Sequence, residues 1–421
     1  SRITYMYKYS DAMPFCEGYT FVKMGEADTW TMIDTKGNCV GNCNFNEVKP
    51  FKNGYAWVKT DDGSANLIDT GCRLVLPQGQ YIDVDQDVHD DVIIVQNYDG
   101  LYGYNSDEKA RQFNVVARHS LEKKAAQNSD IFTTVSDITA QECRQFLGRP
   151  VDVVTPNGFE PSFTPSTDEE YEAKREAARK KLVDVATAMS GEEVPENAVL
   201  VGIGGRYEWK NKGIDVFIDA LDKLNHTDFK GKCVHAFIMI PSGHNGPDKQ
   251  LLSKLAGTPS GYVTRTSHYL MNPEYDAVTN RLNALNFNNA LGDKVKVYFI
   301  PSYLNGNDGI FNMSYYDLLV GLDLTIFPSY YEPWGYTPLE SLAFSVPTLT
   351  TSLAGFGLWV RTYFKKQHPG ITVLDRDDSN YFDVVDGVVE RVKEIASLNK
   401  TDRKKYMKNA KEVSEIALWH N

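Results

Sequence analysis

The chain has few of the residues that specialised chemistry usually recruits: 6 of its 421 residues are cysteine and 8 are histidine. The cysteines, at 16, 39, 43, 72, 143 and 233, are scattered, and Cys39-x3-Cys43 has no second ligand pair nearby. Neither a disulfide framework nor a zinc module is expected; free buried thiols are. Basic charge is also in deficit, with 44 Lys and Arg against 56 Asp and Glu for a net charge of −12. Such a balance argues against a nucleic-acid partner, so any phosphate must be held by local cations. No stretch approaches the roughly eighteen consecutive apolar residues of a membrane span, and the first residues lack the charged-then-apolar order of a signal peptide. A cytoplasmic protein without a membrane partner is expected, with a leader ahead of Ser1 left open. What remains is ordinary globular material, 42% apolar and 12% aromatic, enough for two or three domains.

The first hundred residues repeat themselves. Pro14-Phe15-x-x-Gly18-Tyr19-x-x-Val22-Lys23 recurs 36 residues later as Pro50-Phe51-x-x-Gly54-Tyr55-x-x-Val58-Lys59, and Ile33-Asp34 recurs as Ile68-Asp69. A weaker third copy runs from Val92 to Tyr104. Apolar and polar residues alternate between Gly, Asn and Asp turns, which predicts short antiparallel strands. Asp83-x-Asp85-x-Asp87 imitates a calcium loop but puts Val88 where glycine is needed and Ile94 where a bidentate Glu belongs, so it reads as an acidic strand edge.

From about Asn105 the pattern changes to alternating helices and strands, the mark of α/β architecture. Helical periodicity covers 108–128, 139–147 and 170–189, and strands are expected at 131–135, 151–155, 199–203, 234–240, 295–300, 322–327 and 348–351. Residues 159–170, rich in Pro, Ser, Thr and acid, read as a hinge. The helix after Gly213 carries Ile214, Phe217, Ile218 and Leu221 on one face, the spacing of a helix packed on a sheet.

The most informative junction follows the apolar run Leu322 to Phe327: Pro-Ser-Tyr-Tyr-Glu332-Pro-Trp334-Gly335-Tyr336-Thr337-Pro338-Leu-Glu340. Gly335 allows a tight turn, and Thr337, Pro338 and Glu340 have the order of an N-cap, a first helical residue and a capping box. The helix amino terminus would then aim free amides at the end of a parallel strand, where open α/β sheets bind ligands and phosphate is favoured. Glu340 as a simple cap and Glu332 as a solvated acid is the plain alternative, but capping alone does not call for two carboxylates eight residues apart around an aromatic, Gly-containing loop. Gly204-Gly205-Arg206 and Lys212 follow another strand end, within reach of a pyrophosphate. The turn from Ser352 to Gly357 offers a third Gly-rich backbone at the same edge. Singly, each is unremarkable.

The segments "GGRYEWKNKGIDVFIDAL", "FPSYYEPWGYTPLE" and "TTSLAGFG", with "HSLEKKAAQNSDIFTTVSDIT" and "VDVVTPNGF" before them, resemble glycogen synthases of the animal and fungal type, also found in some bacteria. The resemblance covers about 105–421, while Lys49 to Gly71 resembles a WG repeat. It implies an α/β GT-B-like fold: a Rossmann donor lobe at 166–421, a remnant of the first lobe and hinge at 105–165, and an all-β WG-like repeat region at 1–104. It also implies retaining transfer of glucose from a nucleotide-glucose to the non-reducing end of an α-1,4-glucan. Carried over by position, Arg206 and Lys212 would hold the diphosphate and Glu332 would lie beside the donor glucose. Glu340 would take the ribose hydroxyls, Tyr336 and Thr337 would donate backbone amides, Tyr315 would stack on the base or pack in the core, and Gly205, Trp334 and Gly335 would complete the donor pocket. No cofactor or metal is implied beyond UDP-glucose or ADP-glucose as donor.

The family's first lobe contributes a Gly-rich loop over the donor and a histidine near the sugar, and neither is recognisable in residues 1–104. The chain also ends at "SEIALWHN", ahead of the family's crossover helix. Three readings stand at this point: a glucosyltransferase, a nucleotide-sugar or glucan binding module whose repeats dock a protein partner, and an inert scaffold. The donor nucleotide and homo-oligomerisation are both open.

Overall fold

The computed structural model describes residues 9–25, 27–52, 54–61, 63–76, 104–364 and 368–418. They fall into two compact units, residues 1–132 with 141–150, and residues 133–140 with 151–421.

In the first unit, strands β1 (Tyr9–Ala12), β2 (Tyr19–Met24), β3 (Trp30–Asp34) and β4 (Cys39–Phe45) form an antiparallel sheet in that order. Strands β5 (Glu47–Val48), β6 (Ala56–Lys59) and β7 (Ala65–Ile68) form a second. The repeat is visible in the backbone. Cys16 bridges Tyr19 in one copy and Lys52 bridges Tyr55 in the other, each turn closing on a glycine of positive φ, Gly18 at 88° and Gly54 at 84°. At the other end of each unit, Asp34 accepts from the amides of Lys36 and Asn38 just as Asp69 accepts from those of Gly71 and Arg73. Phe21, Phe45, Phe51, Val58 and Ile68 from both sheets share one core. The third copy apart from Tyr104, and the Asp83–Asp87 segment, lie outside the described residues. Among the described cysteines no disulfide forms; Cys72 is buried, but Cys39 is exposed, against the expectation of burial.

The expected helix over 108–128 is two helices, α1 (Ser106–Gln112) and α2 (Val116–Asn128), because Asn114 takes φ 57° between them. Asn105 caps α1 by accepting from the amides of Asp107 and Glu108. Helix α3 (Asp137–Glu142) runs into a π-helical turn at Cys143–Leu147, where one continuous helix was expected.

The second unit opens with a parallel pair, β8 (Thr133–Thr134) and β9 (Val153–Val154), then the long helix α4 (Asp168–Ser190). Next come β10 (Val199–Gly204), α5 (Ile214–Asn225), β11 (Val234–Met239), β12 (His244–Pro247), α6 (Lys249–Leu255), β13 (His268–Leu270), α7 (Ala277–Ala284) and β14 (Val295–Phe299). The chain finishes through α8 (Tyr315–Leu319), β15 (Leu324–Ile326), α9 (Tyr336–Ala343), β16 (Thr348–Thr351), α10 (Gly355–Phe364), β17 (Ile371–Leu374), α11 (Tyr381–Ser397) and α12 (Lys400–Glu415). Six strands form one parallel sheet in the order β14-β11-β10-β15-β16-β17. The chain winds outward from β10 to β14 and then returns to the other side of β10. The strand order therefore reverses between β10 and β15, which is where doubly wound sheets open a ligand crevice.

Both faces of this sheet are covered, because successive strand residues point to opposite sides. Val199, Val201 and Ile203 pack with α5, α7 and α11, whereas Leu200 packs with α4, α9 and α12. The strand expected over 322–327 has only Leu324–Ile326 in the ladder, since Asp323 turns aside to a different task. Its carboxylate is fully buried and meets Arg175 at 2.7 Å, Arg179 at 2.9 Å and Arg403 at 3.2 Å, while the Leu200 amide donates to it at 2.9 Å. Burial alone would raise this carboxyl, but the three guanidiniums outweigh it and hold it below the ordinary range. The network fastens α4 and α12 to the amino-terminal edge of the sheet.

Candidate functional site

Three connections leave the carboxyl edge, after β10, β15 and β16, and the backbone joins them. Gly213, at φ 66°, starts α5 so close to the next connection that a Cβ there would stand 2.1 Å from the Pro328 carbonyl oxygen. The Tyr330 amide donates to the Asn211 carbonyl at 2.8 Å, and Thr351 Oγ1 donates to the Ser329 carbonyl at 2.8 Å. Glu332 donates its amide to Leu353 and accepts from that of Gly355, both at 3.1 Å. The loop after β15 thus lies against the other two in a fixed arrangement.

The side chains of these loops are charged and paired. Lys212 Nζ meets Glu332 Oε1 at 2.6 Å, and both are largely buried; Ser329 Oγ donates to the same oxygen at 3.1 Å. Arg206 Nε meets Glu208 Oε1 at 2.9 Å, and Asn211 Nδ2 donates to Glu208 Oε2 at 2.6 Å. Gly205, at φ 151°, makes the bend that sends Arg206 outward. Glu340 accepts from the Tyr316 hydroxyl at 2.9 Å. Burial pushes its carboxyl above the usual range, and the Tyr316 hydrogen bond only partly offsets this.

The helix after Glu332 begins earlier than the capping pattern suggests. Gly335, at φ 92°, is the N-cap and Tyr336 the first helical residue, so Thr337 does not cap and Pro338 is third rather than first. Glycine wins because the turn needs positive φ, which threonine adopts poorly. Glu340 correspondingly makes no capping box and faces Tyr316. The first-turn amides of Tyr336 and Thr337 have no acceptor within the helix and are aimed at the same edge. Tyr336 is 46% exposed there.

Trp334 is buried against Phe356 and Trp359, at centroid distances of 5.6 and 6.1 Å, and its indole supports the loop from beneath. Tyr315 packs at the margin of the core, with its ring edge where a Cβ on Gly204 would come within 2.8 Å. Its hydroxyl is buried without a hydrogen-bond partner among the described residues. Packing is thus one thing Tyr315 does, at the end of β10. The third Gly-rich turn differs from expectation: Gly355 and Gly357 are helical and abut the Pro333 and Thr351 carbonyls, where added Cβ atoms would fall at 2.3 and 2.2 Å. Those glycines admit the close approach of protein backbone.

Sequence reasoning missed Glu208, Asn211, Ser329 and Tyr316. Glu208 carried a signal, an acid placed between two cations in one short loop. Also missed was the support behind Tyr330, whose hydroxyl donates to Asp378 and whose ring lies 5.1 Å from the Arg376 guanidinium. No group of three or more His, Cys, Asp or Glu suited to a metal occurs among the described residues.

A family model described as glycogen synthase matches residues 92–253 and 249–421, which takes in the whole α/β unit from residue 151 onward. The chain belongs to the glycogen synthase family. Glycogen [starch] synthase isoform 2 of Saccharomyces cerevisiae is 27% identical over 391 residues, covering 76% of this chain and 55% of the yeast protein. The Neurospora crassa glycogen [starch] synthase is 27% identical over 386 residues, with 77% and 54% covered. The mouse liver form is 26% identical over 336 residues, with 66% and 48% covered. This glycogen synthase-family chain thus spans about half the length of the curated relatives it matches. A WG containing repeat model matches residues 30–63. Among solved structures, the catalytic domain of starch synthase IV from Arabidopsis thaliana superposes at 16% identity with a TM-score of 0.42, over 71% of this chain and 55% of that one. No helix among the described residues is long and apolar enough to cross a membrane.

Proposed function

We propose that the α/β unit binds a nucleoside-diphosphate glucose and transfers its glucose, with retention of configuration, to the non-reducing end of an α-1,4-glucan. The observation that carries this reading is the placement of Arg206, Lys212 and the amino terminus of α9 on the connections that leave the strand-order reversal, with Glu332 against Lys212. As the glycosidic C–O bond breaks, negative charge grows on the leaving diphosphate and positive charge on the anomeric carbon. Fixed cations and helix amides near the first, and a carboxylate near the second, stabilise the transition state more than the ground state.

The pairing of Lys212 with Glu332 adds a step. An arriving diphosphate competes with Glu332 for the ammonium, and Lys212 exchanges one anion for the other. Glu332 is left less neutralised beside the sugar, where it holds hydroxyls and faces the oxocarbenium charge. Glu340 accepts from the ribose hydroxyls, and Tyr315 offers its ring to the base. Uracil and adenine both suit an aromatic platform, so UDP-glucose and ADP-glucose are both candidate donors. The WG-like repeats are a docking surface for a protein partner, and the setting is the cytoplasm.

Calorimetric titration of this chain with UDP-glucose and ADP-glucose, followed by a transfer assay on glycogen, tests the reading. Saturable binding with transfer is expected and names the donor. Binding without transfer would make the chain a nucleotide-sugar binding module, and no binding of either donor would overturn the site.

A further inference from the structure

We infer that Glu208 is the positioning residue for Arg206, setting the guanidinium so that its terminal nitrogens form a ready-made fork for a diphosphate. The inference rests on the donor-site reading above and adds a residue to it. Arg206 would otherwise be a poor ligand, because its side chain is 59% exposed at the lip of the crevice and an arginine free to sample its rotamers loses that freedom on binding. Glu208 removes much of this freedom in advance. It is 1% exposed, and its Oε1 forms an ion pair with Arg206 Nε at 2.9 Å without hydrogen-bond geometry, so it is the buried charge that holds the guanidinium. Its Oε2 is fixed in turn by Asn211 Nδ2 at 2.6 Å. The backbone braces the same unit, with the Glu208 amide donating to the Arg206 carbonyl and the Lys212 amide to the Glu208 carbonyl, both at 2.9 Å.

The geometry of a guanidinium explains why this contact matters. Its five N–H bonds lie in one plane, and an anion fixed beside Nε restricts where that plane can lie. Among the described residues no hydrogen bond engages Arg206 Nη1 or Nη2. Those two nitrogens form the edge that matches two phosphate oxygens. The arrangement differs from that of Lys212, whose single ammonium is already taken by Glu332 and must exchange partners. Glu208 also reaches the second loop, because Asn211, which it holds, accepts from the Tyr330 amide at 2.8 Å. A buried carboxylate therefore fixes one cation and ties the β10 loop to the loop of Glu332.

A double-mutant cycle tests this, with dissociation constants for UDP and ADP measured by calorimetry on the full chain and melting temperatures recorded for every variant. Glu208→Gln is expected to weaken nucleotide binding about tenfold, the loss typical of a charge-assisted contact. Glu208→Asp should recover part of that loss. In an Arg206→Ala background the Glu208→Gln change should alter binding less than about twofold, because there is no guanidinium left to position. If the two losses multiply, Glu208 acts through the fold alone and the positioning role is overturned while the donor site stands. If the wild-type chain binds neither nucleotide, the donor-site reading falls and takes this inference with it.

Discussion

The two edges of the parallel sheet bury charge in opposite ways. At the amino-terminal edge Asp323 is wrapped by three arginines and the Leu200 amide, and His235 and Lys296 face each other across β11 and β14 with Glu192 closing the group. At the carboxyl edge each charge has a shorter partner list and an outlet to the crevice: Lys212 on Glu332, Arg206 on Glu208, Glu340 on Tyr316. Pairing is common to both edges, and so is burial except at Arg206, whose side chain is 59% exposed. The difference lies in whether the partners complete the group, which makes one edge a fastening and leaves the other with capacity for a ligand.

The comparison breaks most readily at Asp323. Replacement by alanine strands three guanidiniums around a dry site, and the loss of one partner from a buried ion pair typically costs about 3–5 kcal/mol. Asp323→Ala should lower the unfolding free energy from denaturant titration by that amount. If stability holds while nucleotide affinity drops, the amino-terminal edge is not merely a fastening.

His235 probes the same edge through pH. Its ring Nδ1 lies 2.8 Å from the Tyr298 hydroxyl, and burial, reinforced by Lys296 and Arg179 and opposed by Glu192, pushes its pKa from 6.5 to about 4. The folded state therefore keeps the ring neutral while the unfolded chain protonates it. Because the unfolded state binds more protons between those values, stability is fully present above pH 6.5 and is lost as pH falls toward about 4. The loss is about 3 kcal/mol by linkage. His235→Gln should flatten the dependence of melting temperature on pH in this window. Parallel slopes for the two proteins would mean the ring is already charged in the fold.

Glu332 carries the opposite expectation, a larger effect on function than on stability. Glu332→Gln should lower kcat about a hundredfold, as loss of one electrostatic contact to a developing charge does. It should also strengthen UDP or ADP binding by about 1 kcal/mol, because Lys212 no longer has an anion to surrender. Weaker nucleotide binding in the variant would show that Glu332 and the diphosphate do not compete.

Much of the parallel sheet was legible because its strands are buried on both faces and read as short apolar runs between glycine-bearing turns. The places of Arg206, Lys212 and Glu332 just past strand ends were legible from the apolar runs before them. What was not legible depends on side chains meeting across long separations. Asp323 and its arginines are more than a hundred residues apart on one side, and Glu340 meets Tyr316 through a helix pairing that no local pattern encodes. Thr337 misled because its side chain suits a cap, while the positive φ that only Gly335 takes easily decided where α9 starts.

Glu340 gives the finest cut between the edges, since it is a buried carboxyl that its neighbours do not stabilise fully. Its raised pKa means that acid protonates it sooner than an ordinary glutamate. Only the ionised form offers all its lone pairs to ribose hydroxyls, so ligand binding favours that form and should be strongest above the free-state pKa. Affinity for UDP or ADP should fall as pH drops below that value, by up to about tenfold per unit. The phosphates of the nucleotide also titrate near pH 6, so the informative quantity is the difference between wild type and Glu340→Gln. The variant should bind about 1 kcal/mol less tightly at neutral pH, the usual worth of a hydrogen bond, and should lose less on acidification. If both proteins lose affinity in parallel, the titrating group is the ligand alone and Glu340 belongs with the fastenings of the other edge.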